Sequence, residues 1–330
     1  MNAGSAKTLE VELTPPYNAP MQAAFRKKLA WIVAVVATGC IHTAAQAPSV
    51  PICNQDRPEA QSKSDIIDAA KAFISSGEVL KVAAARKQLK RTSCQLALPE
   101  ASATRLPARE ICVAARRSHL RIGWSYLCPK CGKWHVNLAG GYLLTAGGAA
   151  VTCFHVVEPG QDLKEGCLVA LDEAGKVLPV VEVLAAKQES DVCIVRVAGE
   201  GLTPLALNTN IYPGDTVYCY SDPVEHPEYF SSGIVNRFYH PAESQPSGSY
   251  GKAAAAPTRI NVSTDWAPGS SGSAILDECG NAIGHVSTIS TFTDENKSKT
   301  QPAQATKSTE IVFHEAVSAR DVLRLTQPLR

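Results

Sequence analysis

From Leu120 to Phe313 this sequence breaks into short runs rich in valine, isoleucine and leucine, separated by glycine, proline and small polar residues. Runs of that length are too short for helices that bury one face, whereas β-branched residues between turn formers suit strands. The chain is therefore expected to be mainly β. Its 330 residues, 45% of them hydrophobic, allow one sizeable globular unit and a smaller appendage. Lysine and arginine number 32 against 31 aspartates and glutamates, so no whole-chain field would draw it onto nucleic acid. Neutral polypeptide partners fit that balance.

The amino end has the three-part layout of a secretion signal: Arg26, Lys27 and Lys28, an apolar run from Leu29 to Val36, then small residues through Ala47. The run is too short to span a bilayer comfortably. Met21 is an alternative start. Thr43-Ala44-Ala45 and Ala45-Gln46-Ala47 suit an ordinary signal peptidase, whereas Ala37-Thr38-Gly39-Cys40 is like a bacterial lipobox without its usual leucine. Residues 1–47 are thus expected to direct the protein to the periplasm or medium, with membrane attachment through lipid on Cys40 as one branch and an uncleaved anchor as another. Losing Cys40 would leave an even number of the eleven cysteines, as disulfides would require. Cys153, Cys167, Cys193 and Cys219 sit in apolar segments and are expected to be buried free thiols.

Residues 48–107 read as a helical leader and linker. Ile67, Ala70 and Ile74 share a helical face between a capping Ser64 and a terminating Gly77, a second helix is expected over Glu78–Lys90, and Pro99–Pro107 is linker-like. From there the pattern turns to strands: Leu120–Tyr126, Gly141–Thr145, Ala149–Cys153, Cys167–Leu171, Val177–Ala185 and Val192–Val197 form a first set. A second comprises Thr216–Cys219, Gly233–Phe238, Arg259–Ser263, Ser273–Leu276, Ala282–Ser287 and Glu310–Phe313, before a helix over Ser318–Leu325. Glu243–Pro257 and Asp294–Ser308 read as long loops.

Three local patterns carry chemistry. A glycine-pair hairpin, Gly147-Gly148, returns a strand that ends on His155; Asp191 opens the apolar strand Val192–Val197; and Pro268-Gly269-Ser270-Ser271-Gly272-Ser273 holds a serine inside a glycine-bracketed turn. Hydrolysis of an acyl bond by serine needs a nucleophile, a base and a carboxylate to orient that base, which Ser271, His155 and Asp191 would supply. The backbone N–H groups of Gly269 and Ser271 would form the oxyanion hole, since glycine permits the dihedrals that aim both into one hollow. This chemistry requires no metal or cofactor. No His-Glu-x-x-His motif occurs, which disfavours a zinc peptidase.

The chain order histidine, aspartate, serine is that of chymotrypsin-type enzymes. Thr152–Val157 resembles the Thr-x-x-His-Val segment of trypsin-like and HtrA-type proteases, Asp191–Val197 their Asp-hydrophobic-Ala-hydrophobic-Leu strand, and Pro268–Leu276 their Pro-Gly-Asn-Ser-Gly-Gly-Pro motif. The resemblance covers roughly Leu120 to Leu325. It implies an all-β, chymotrypsin-like fold of two six-stranded antiparallel barrels (about 118–200 and 205–330 within a 108–330 domain), with a short helical amino-terminal segment and a carboxy-terminal helix. It also implies the triad roles and polypeptide substrates. Ser270 replaces the usual asparagine or aspartate, and Ser273-Ala274 replace Gly-Pro. Residues 291–330 are too few for the PDZ domain of HtrA proteases, so none is expected.

A substrate pocket is expected from Ser287, Thr288 and Ile289, with two alternatives for its floor. Asp265 stands where trypsin places the acid that receives lysine or arginine, while Thr264-Asp265 is also like a pair that HtrA proteases use elsewhere, which would leave a small or medium apolar preference. Cys128-Pro129-Lys130-Cys131, followed by His135, could form a local disulfide, a metal knuckle lacking an identifiable fourth ligand, or a pair of free thiols. His119, His226, His240, His285 and His314 are expected to be structural or exposed.

Overall fold

Several segments are buried at every position, among them Ala149–Thr152 (β4) and Gly166–Leu171 (β5). A strand with no exposed residue must be covered on both faces, and here the alternation of side chains divides each strand between two cores. In β5, Leu168 and Ala170 enter one cluster while Cys167, Val169 and Leu171 enter another. In Val192–Val197 (β7), Cys193, Val195 and Val197 share the first cluster, and Val192 and Ile194 face a third.

These strands belong to a computed structural model that describes residues 62–241, 256–294 and 308–327. The expected signal, with Cys40, lies outside the described residues, as do nearly all of the loops expected at Glu243–Pro257 and Asp294–Ser308. Before the barrels come helices Lys63–Ser76 (α1) and Val82–Gln88 (α2), strand Cys94–Gln95 (β1) and helix Ala108–Ser118 (α3). The first barrel adds His119–Leu127 (β2), Trp134–Leu143 (β3) and Val177–Lys187 (β6) to β4, β5 and β7, with the short helix Phe154–Val157 (α4) after β4. It closes in the order β2-β3-β4-β7-β6-β5. The second consists of Thr216–Ser221 (β8), Tyr229–Tyr239 (β9), Arg259–Val262 (β10), Ala274–Leu276 (β11), Ala282–Asp294 (β12) and Ser308–Ser318 (β13), closed as β10-β13-β12-β11-β8-β9. Helix Ala319–Leu323 (α5) and strand Thr326–Gln327 (β14) follow. All pairings within the barrels are antiparallel, so both six-stranded barrels expected from the sequence are present.

Ile122, Leu168 and Val195 fill the first barrel, and Val217, Ile260 and Ile275 the second. Between them lies an apolar layer with Tyr142, Val151, Ile194, Leu276 and Val317. This layer holds the barrels together and positions the cleft at their junction.

The segment read as leader and linker packs into this body. Leu80, Val82 and Ala85 join the first barrel's core, Ile66 and Ala70 cover the outer face of β5, and β1 pairs in parallel with β14. The buried face of α1 is set by Ile66 and Ala70, with Phe73 and Ile74 packed beside them and Ile67 outside the cluster, and Ser62 rather than Ser64 precedes its first turn. Helix α2 is shorter than Glu78–Lys90, because Val79 and Leu80 are used as extended core residues. Where strands were expected directly after Pro107, α3 intervenes: Ile111 and Ala115, four apart, dock between the barrels while Arg109 and Arg117 stay out. Strands β12 and β13 outrun the expected bounds, pairing with each other from Gly284↔Ser318 out to Asp294↔Ser308.

Candidate active site

Gly148 has φ +82, and a Cβ there would stand 2.0 Å from Val197 O, so the turn before β4 tolerates only glycine. β4 ends as Thr152 Oγ1 donates to Gly140 O at 2.7 Å, and α4 then presents His155. Asp191 closes the β6–β7 turn, its N–H donating to Gln188 O at 2.9 Å and its φ at +57, a left-handed conformation that aspartate adopts more readily than most residues. The two side chains meet: His155 Nδ1 lies 3.0 Å from Asp191 Oδ1 and 3.1 Å from Oδ2, and the His155 backbone N–H donates to Oδ1 at 3.2 Å.

Two residues from β12 complete the surroundings of Asp191. Ser287 Oγ donates to Oδ2 at 2.6 Å, and His285 Nε2 donates to the Asp191 carbonyl at 3.1 Å. Burial would raise the Asp191 carboxyl, but the hydrogen bond and charge of His155, helped by the Ser287 hydroxyl, outweigh it and hold the group at about 2. His155 is shifted upward, chiefly by its hydrogen bond to Asp191, with burial opposing. His285 is driven down to about 4 by burial, so near neutrality it is an uncharged prop.

Ser271 occupies the tight turn before β11. Gly269 has φ +103 and Gly272 φ +90; a Cβ on Gly272 would stand 2.3 Å from Gly140 O and 2.4 Å from Thr152 Oγ1. The turn is fastened by Ser270 N–H to Ala267 O, Ser273 N–H to Ser270 O and Gly272 N–H to Val286 O. Among the described residues, the N–H groups of Gly269 and Ser271 have no protein acceptor. Ser271 Oγ donates to Ser287 O at 3.4 Å and makes no hydrogen bond to His155. His155 and Ser271 nonetheless line the same two hollows, of about 610 and 440 Å³.

The smaller hollow is lined by Ser287, Thr288 and Ile289 together with Trp266, Ala267 and Val286. Asp265 does not line this hollow. Its side chain is exposed, its backbone N–H and C=O both bond Ser231 Oγ, and Trp266 faces inward in its place, with Nε1 donating to Thr288 O at 3.4 Å. Cys128 lines the larger hollow with Pro129, Lys130 and Trp124. Cys128 and Cys131 are free thiols, as are all nine described cysteines, and Cys153, Cys167, Cys193 and Cys219 are buried as expected.

Three contributions escaped the sequence reading: the Ser287 hydroxyl on Asp191, the His285 prop and the Trp266 floor. The first two alternate along His285-Val286-Ser287, a spacing that puts both on one face of a strand.

Residues 139–284 match the family model for the trypsin-like peptidase domain, a span that holds His155, Asp191 and Ser271. No curated protein sequence matches the chain. Among solved structures, the chain is similar to the HtrA-type protease AlgW with a decapeptide, at 13% identity over 66% of each chain and a TM-score of 0.47. It is similar to the same protease with a tripeptide, at 16% identity over 66% of this chain and 62% of that one, with a TM-score of 0.47. A serine endoprotease from Yersinia pestis is 13% identical over 67% of this chain and 65% of that one, with a TM-score of 0.45. The chain spans slightly less than two thirds of these structures' lengths. Two closed antiparallel barrels meeting at a cleft fit a chymotrypsin-like fold, and the span similar to the trypsin-like peptidase domain lies within them.

Proposed function

We propose that this protein is an exported serine endopeptidase. The observation that carries the reading is the convergence of His155, its partner Asp191, Ser271 and two unengaged N–H donors on one cleft. In the reaction, His155 removes the Ser271 proton as Oγ attacks the scissile carbonyl, and the Gly269 and Ser271 N–H groups receive the oxyanion. His155 then protonates the leaving amine, and water hydrolyses the acyl-enzyme by the same steps. Asp191 holds the imidazole with Nδ1 protonated and stabilises the imidazolium. Export through the amino-terminal segment, with or without lipid on Cys40, belongs to the same proposal. With Trp266 and Ile289 in the pocket and Asp265 outside it, the proposed preference is a small or medium apolar side chain before the scissile bond.

A second reading, a peptide-binding protein without catalysis, draws on the Ser271 hydroxyl resting on Ser287 O instead of on His155. Hydrogen bonds of this kind often tighten only when substrate is bound. The pH dependence of casein hydrolysis separates the two. Only neutral His155 can accept a proton, so kcat/KM should fall tenfold per unit as pH drops below the raised His155 value, with a midpoint above 6.5. Asp191, at about 2, and His285, at about 4, should add nothing near neutrality. Absence of hydrolysis throughout, with peptide still bound, favours the second reading.

A further inference from the structure

The hydrolytic chemistry leaves Cys128, Cys131 and His135 unused, yet the β2–β3 hairpin gathers them. The turn is closed by Cys128 N–H to Lys133 O and Gly132 N–H to Cys128 O, both 2.9 Å. Gly132 has φ +68 with open space around its would-be Cβ, so glycine serves the turn's dihedrals and not its packing.

The returning strand brings back the third group. His135 pairs in register with Tyr126, and their rings stack with centroids 5.8 Å apart and an interplanar angle of 29°, which orients the imidazole. His135 Nε2 lies 3.1 Å from Cys131 Sγ, and the two sulfurs and this nitrogen all lie within 4.8 Å of one another. Zinc bonds of about 2.3 Å to sulfur and 2.0–2.1 Å to nitrogen place tetrahedral ligand atoms roughly 3.5–3.8 Å apart, within reach of small side-chain rotations. Two thiolates and an imidazole select a thiophilic cation over calcium or magnesium. Among the described residues, the other cluster of ligating groups, Cys153 with His155 and Asp191, is the proposed catalytic site itself.

We propose that Cys128, Cys131 and His135 bind one thiophilic divalent cation, zinc being the leading candidate, with a fourth position open to solvent. Cys131 and His135 are exposed, which leaves that position accessible. Because Cys128, Pro129 and Lys130 line the larger hollow beside His155 and Ser271, the ion would also stiffen that wall of the cleft.

The test uses the full-length chain purified without chelator, and its readouts do not depend on hydrolysis. One zinc per chain is expected by elemental analysis, and cobalt substitution should give a thiolate-to-metal charge-transfer band with tetrahedral ligand-field bands. Since loss of an outer-shell partner alone costs metal sites about 10–100-fold in affinity, His135→Ala should weaken zinc binding by more than that, and Cys131→Ser likewise. His135→Ala removes an exposed ring and should fold normally; His135→Cys should restore binding. Amide exchange across residues 128–135 should slow on zinc addition. Zinc content unchanged by His135→Ala and Cys131→Ser, protein free of zinc that gains none on titration, or a Cys128–Cys131 disulfide in the peptide map would each overturn the proposal.

Discussion

Replacing Ser271 with alanine is expected to lower kcat for peptide hydrolysis by about a millionfold, the scale at which serine hydrolases fall when the nucleophile is removed. Fold and stability should change little. The turn geometry is set by Gly269 and Gly272 and by backbone bonds that do not involve the hydroxyl, and the hydroxyl's one contact is the 3.4 Å bond to Ser287 O. Matching thermal melts for both proteins, with hydrolysis of casein or a chromogenic peptide lost only in the variant, is the expected pair of results. A variant that keeps more than a hundredth of the parental rate would remove Ser271 from the mechanism.

Asp191→Asn is expected to lower kcat/KM by about ten-thousandfold, as the corresponding change does in the trypsin-type template. The surroundings explain why the amide cannot stand in. Ser287 Oγ, the His155 N–H and His155 Nδ1 all converge on the two carboxylate oxygens. An amide has only one oxygen to offer, so its NH2 group must face a donor or take Nδ1 as its acceptor. The latter leaves the proton on Nε2, where a base must be empty. Asparagine tolerates the φ of +57 at this position, so the backbone should survive and the loss should be catalytic. Steady-state kinetics beside a melting curve will show it; a loss under tenfold would mean Asp191 does not orient the base.

Much of the architecture was legible because barrel strands leave a plain record. Val192–Val197 appears at its expected bounds, since four of its six residues are β-branched and the short run admits little else. The glycine turn was legible for a related reason: at Gly272 a side chain would collide with Gly140 O, and the sequence there shows glycine. Helix α3 was not, because only Ile111 and Ala115 among its apolar residues are fully buried, and Cys112, Val113 and Ala114, which are half-buried, blur the apolar face. The pocket floor was lost to alternation. Along Ser263-Thr264-Asp265-Trp266 burial switches at every residue, so the acid at a suggestive offset points out while its neighbour points in. The role of Ser287 depends on contact between β12 and the β6–β7 turn, far apart in sequence, which no local pattern encodes.

The central claim is that Ser271 is a nucleophile activated by His155. Fluorophosphonate labelling followed by peptide mapping tests it most directly, because phosphonylation demands the same attack, proton transfer and oxyanion contacts as peptide cleavage. The account predicts a single adduct on Ser271, formed by the folded protein and suppressed on the order of 10²–10⁴-fold in His155→Ala. Folded protein that takes up no label, or that carries the adduct on another residue, would contradict it.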